Sequence, residues 1–117
     1  MNLSKAKTFC RSLPGATEEV KWGDNLVFSV GAKMFACTRM SNGDNSIGFK
    51  VEDDSFLALT DRPGIVPAPY LARAKWILVE DLKFLGEDEA LALLRRSYEL
   101  VFAKLTKKMQ REIGEQV

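Results

Sequence analysis

The sequence predicts an α+β two-layer sandwich: a mostly antiparallel five-stranded sheet with helices packed on one face, in the order α-β-β-β-β-α-β-α. Three observations lead there. Apolar residues alternate between positions 26 and 51, the period of a half-buried strand. The alternating runs are separated by short turns, which cannot join parallel neighbours. Further on, Leu91, Leu94, Tyr98, Val101 (with Phe102) and Leu105 recur at spacings of three and four, the stripe of an amphipathic helix.

Each element has its own signal. Ser4 precedes a short helical pattern with Phe9 and Cys10 on one side, and is placed to cap its first turn. Leu13-Pro14-Gly15 ends that helix. Glu18 to Trp22 reads as a short strand and Gly23-Asp24-Asn25 as a turn. Leu26 to Val30 alternates, with Leu26, Phe28 and Val30 on one face. Gly31-Ala32 fits a two-residue hairpin loop, Gly supplying the positive φ. That register pairs Val30 with Lys33, Phe28 with Phe35 and Leu26 with Cys37. It opposes the two Phe on the core face and places Lys33 and Arg39 on that same face.

The third strand runs from Lys33 to about Met40, followed by a polar loop, Ser41-Asn42-Gly43-Asp44-Asn45. Ser46 to Val51 alternates again and completes a four-stranded meander. Glu52-Asp53-Asp54-Ser55 opens a helix to Thr60, its acids facing the positive end of the helix dipole. Asp61-Arg62-Pro63-Gly64 ends it. Ile65 to Tyr70 contains Pro67 and Pro69 and reads as an ordered but irregular connection. Lys75 to Glu80 is the fifth strand, apolar on both faces. The long helix opens at Glu87-Asp88-Glu89, and Thr106 is placed to cap a short last one, Lys107 to Ile113. No repeat or linker interrupts the pattern, so one domain over residues 1–117 is expected.

Composition excludes several kinds of chemistry. There is no His, so neither a Ser-His-Asp nor a Cys-His nucleophile pair can form, nor a His-ligated zinc site. Cys10 and Cys37 make no C-x-x-C motif. No glycine-rich phosphate loop is present. No catalytic residues, metal or cofactor are therefore expected, and the protein reads as a non-enzyme. No signal-peptide core or membrane-spanning run is visible, so a cytoplasmic setting with free thiols is expected. With 17 Lys+Arg against 16 Asp+Glu, the net charge is +1, and any attraction to an anionic partner has to be local.

Several stretches carry a family resemblance. They are Leu13-Pro14-Gly15-Ala16, Trp22, the hairpin from Phe28 to Ala36, Pro63-Gly64-Ile65-Val66-Pro67-Ala68-Pro69-Tyr70, Arg73 with Lys75-Trp76-Ile77-Leu78-Val79, Ser97-Tyr98, and Leu105-Thr106-Lys107-Lys108. In this order, over nearly the whole chain, they resemble the MmcQ/YjbR family of small, uncharacterised bacterial proteins. The resemblance implies a CyaY-like α/β fold related to secretion-chaperone sandwiches, and DNA binding through a "double wing" of sheet and hairpins. Members often carry a His just before the Trp of the fifth strand, where this chain has Lys75.

The cations suited to phosphate contact are Lys33, Arg39, Lys50, Arg62, Arg73 and Lys75, on strands or adjoining loops. Trp22, Tyr70 and Trp76 are the aromatic candidates for a ligand or partner surface. DNA binding is the leading expectation. A chaperone-like protein-interaction module is the alternative, as is a site for a small anion near Tyr70, Arg73 and Trp76. A basic group on the last helices, Arg95, Arg96, Lys104, Lys107, Lys108 and Arg111, also complements the helix dipoles.

Overall fold

A computed structural model describes residues 1–39 and 45–114. The elements are α1 (Leu3–Ser12), β1 (Ala16–Lys21), β2 (Asn25–Val30), β3 (Lys33–Arg39), β4 (Ile47–Lys50), α2 (Asp53–Thr60), β5 (Ile65–Pro67), β6 (Trp76–Val79), α3 (Glu87–Phe102) and α4 (Lys107–Gly114). The expected strand end at Met40 and most of the polar loop lie outside the described residues.

The fold class is the α+β sandwich expected, with one more strand. The sheet order is β1-β2-β3-β4-β6-β5, and every neighbouring pair is antiparallel. The additional strand is β5, Ile65–Pro67, within the segment expected to be irregular. It pairs with β6 through Ile65–Val79, Val66–Leu78 and Pro67–Ile77. Proline is tolerated here because β5 is an edge strand, where a missing N–H interrupts no ladder.

The helices cover the face formed by Leu26, Phe28, Val30, Ala36, Ile47, Phe49, Ile77 and Val79, which join Cys10, Leu94, Tyr98 and Val101 in one buried core. The first helix is capped by Asn2, not Ser4: the Asn2 side chain accepts from the Lys5 N–H at 2.9 Å. The helix starts one residue after Asn2, so Ser4 already lies within its first turn. Thr106 caps α4 as expected, accepting from the Met109 N–H at 3.2 Å.

The β2–β3 hairpin departs from the expected register. Val30–Lys33 and Ser29–Met34 pair as read, but the next pair is Phe28–Ala36, which leaves Phe35 as an extra residue in a bulge. The bulge lets Phe35 and Ala36 both bury completely. The Phe35 ring lies 5.5 Å from Tyr98, edge-on, and 6.4 Å from Phe28. Beyond it the parity is reversed. Cys37 pairs with Val27 and Arg39 with Asn25, so both belong to the face away from the helices.

Ser97 of α3 occupies the seam between β3 and β4. Among the described residues, Ala36–Phe49 and Cys37–Gly48 are the pairs there. At the following position the Ser97 hydroxyl donates to the Phe35 carbonyl at 2.7 Å and accepts from the Lys50 N–H at 3.0 Å. The side chain is fully buried and replaces a rung of the ladder.

Candidate functional site

The candidate cations separate to opposite ends of the sheet. Lys33 lies just past the tight β2–β3 turn, and Lys50 pairs with Trp76 at the same end of β4. Lys75 immediately precedes β6 and has a left-handed backbone, φ 63°. Its ammonium lies 5.1 Å from the Phe56 ring centre. Lys50 donates to the Ala74 carbonyl, and its pKa is lowered, first by burial and then by the positive charge of Lys104. Lys75 adds to that lowering, and Asp53 opposes it. Lys50, Lys75 and Lys104 therefore share one electrostatic neighbourhood. Arg73, exposed in the short turn 72–74, adjoins it in sequence.

Arg62 is held apart from this group. Its guanidinium grips both Glu89 carboxylate oxygens, at 2.8 and 3.0 Å. Those bonds raise the Arg62 pKa and lower that of Glu89. Arg96 is likewise tied to Glu52 at 2.8 Å and to Glu99 at 3.3 Å. Among the described residues, Lys33, Arg39, Lys50, Arg73 and Lys75 form no ion pair.

Arg39 stands at the other end of the sheet, on the mouth of a cleft of about 340 Å³ on the open face. The floor is Cys37, Gly48, Leu78 and Trp76, and Ala68, Pro69 and Leu71 form a wall. Trp76 is only 5% exposed. Tyr70 and Arg73, expected beside it, do not line the cleft, where the cation is Arg39. Tyr70 is fully exposed and Trp22 is 70% exposed, each with a positive φ. Of the three expected aromatics those two, not Trp76, are available to a large partner, and Phe84, which the sequence reading did not single out, is as exposed as Trp22. Among the described residues no cluster of His, Cys, Asp or Glu is suited to hold a metal ion.

The YjbR family model matches residues 11–100, most of the chain. The protein belongs to the YjbR family. The crystal structure of Deinococcus radiodurans protein DR2400, assigned to the domain family DUF419, is similar to it at 27% identity with a TM-score of 0.87. That match covers 97% of this chain and 88% of the other. A Pseudomonas syringae protein matches at 23% identity and a TM-score of 0.71, over 86% of this chain and 99% of its own, and shows the shared fold. No curated protein matches significantly. No helix of this YjbR protein, among the described residues, is long and apolar enough to cross a membrane.

Two contributors to the YjbR surface escaped the sequence reading. Gly48 falls inside the alternating run from Ser46 to Val51 and was not singled out, although a strand-interior glycine signals close approach by another group. Lys104 was assigned to dipole complementation, and its nearness to Lys50 is a tertiary fact.

Proposed function

We propose that this YjbR protein binds DNA without catalysis, contacting phosphates with the basic end of its sheet. The observation that carries the proposal is the gathering of Lys50, Lys75 and Lys104, close enough that the latter two lower the Lys50 pKa. Like charges brought together form a focus of positive potential even when the net charge is +1, and here Asp53 is the carboxylate that opposes it. Lys33 extends this end along the hairpin, and exposed Arg73 flanks it. Arg62 has no part in it, because Glu89 already neutralises it.

The test is fluorescence anisotropy of a labelled duplex titrated at several salt concentrations. Each phosphate contact contributes about −0.9 to the slope of log K against log salt, so replacing Lys75 and Lys104 by Ala should flatten the slope by about 1.8. Arg62→Ala should leave it unchanged. Absence of binding at low salt, or an unchanged slope in the folded double variant, refutes the proposal.

A further inference from the structure

The mouth of the cleft lies at the opposite end from the lysine group, its floor runs to Trp76 beside Lys50, and the ladder arranges its side chains in rows. Cys37, Gly48 and Leu78 form one row across β3, β4 and β6. Two residues along each strand, the same parity brings Arg39, Ser46 and Glu80 to the cleft mouth, with Asn25 paired beside Arg39. Trp76 lies two residues the other way along β6. The cleft is thus charged and polar at one end and flat and apolar at the other.

The two charges at the mouth have opposite signs and stand on strands two spacings apart, about 10 Å. They form no ion pair with one another. A molecule carrying both an anion and a cation satisfies each of them. At Gly48 an added Cβ would meet nothing closer than the Ile77 carbonyl at 3.4 Å and the Cys37 carbonyl at 3.8 Å. Nothing in the backbone demands glycine there, and its bareness keeps the floor open. A volume of about 340 Å³ is at the small end of ligand pockets, which suits a single compact molecule.

We propose that the cleft binds a free α-amino acid with a flat apolar side chain. Its carboxylate meets Arg39, its ammonium meets Glu80, and its side chain lies over Gly48 and Leu78 toward Trp76. This inference does not rest on DNA binding by the lysine group.

The test uses the whole protein with Trp22→Phe, which leaves Trp76 as its single tryptophan. L-phenylalanine should shift the Trp76 emission saturably at low millimolar concentration. 3-Phenylpropionate and phenethylamine, each lacking one charge, should bind about tenfold or more weakly. Gly48→Val should abolish the response while unfolding stays cooperative. Should that variant fail to fold, Glu80→Gln at the exposed mouth decides the matter, because it should erase the preference for L-phenylalanine over 3-phenylpropionate. The proposal is overturned by no saturable response to L-phenylalanine, by either analogue binding as tightly, or by a retained preference in Glu80→Gln. A folded Gly48→Val protein that binds normally overturns it as well.

Discussion

Replacing Ser97 by Ala removes one oxygen atom and two hydrogen bonds at the seam between β3 and β4. Ser97 is fully buried, and its hydroxyl bridges the Phe35 carbonyl and the Lys50 N–H. Alanine leaves both backbone groups without that partner, in a gap the size of a hydroxyl. An orphaned buried polar group costs about 1–3 kcal/mol. The Phe35 carbonyl is deeply enclosed and should bear most of this, whereas the Lys50 amide is only partly buried. The expected loss is therefore about 2–3 kcal/mol, which for a chain of this size corresponds to a fall in Tm of roughly 10 °C. Urea unfolding followed by circular dichroism measures it, with Ser97→Thr as the variant that keeps a hydroxyl. A loss below about 0.5 kcal/mol would mean that β3 and β4 close up and bond directly, and that the serine is no substitute rung.

Three further expectations rest on separate features. The Cys10 thiol is pushed up to about 12 by burial, while half-buried Cys37 is raised for the same reason and lines the cleft; alkylation at neutral pH, located by mass spectrometry, should label Cys37 first. Arg62 holds Glu89 below the ordinary carboxylate range, so the unfolded chain takes up that proton first. The pair's stabilisation is present above the ordinary Glu value of about 4.3 and fades as pH falls through the lowered folded value. The difference in urea midpoint between the parent protein and Arg62→Ala should shrink toward acid, and a constant difference would contradict the assignment. At Gly31 (φ 57°) an added Cβ would lie 2.7 Å from the Leu105 methyls, so Gly31→Ala should cost about 1–3 kcal/mol, read from the same unfolding curves.

Much of the fold was legible because local periodicity and tertiary burial agree. The stripe from Leu91 to Phe102 and the alternation through Ile47 and Phe49 became the helix and strand they suggest, while Leu105, read as the end of the stripe, lies in the turn after the helix. The β3 register was not legible past the turn. Gly31-Ala32 fixes only the first pairs, and two adjacent apolar residues, Phe35 and Ala36, suit either parity. What decides between them is Tyr98 on a distant helix, against which the Phe35 ring packs. That decision also moved Arg39 to the open face. β5 was hidden because Pro67 reads as a strand breaker until the strand is known to lie at an edge. Within the candidate site, residue types were readable and company was not. Arg62 and Glu89 are 27 positions apart, and nothing local announces that they cancel each other.

The two-rung seam at β3 and β4 also divides the sheet mechanically. On one side β1, β2 and β3 are joined by ladders of six pairs, and on the other β4, β6 and β5 by ladders of four and three. Among the described residues the leaves meet through Ala36–Phe49, Cys37–Gly48, the Ser97 clasp and the Thr38 hydroxyl, which donates to the Ser46 carbonyl at 2.6 Å. The cleft straddles that fold line, with Arg39 and Cys37 on one leaf and Gly48, Leu78 and Trp76 on the other. A guest seated on the cleft floor therefore touches both leaves, and its contacts add to those that hold β3 to β4. Ser97 thus binds α3 to both leaves at the join, where the sheet and the helix layer meet.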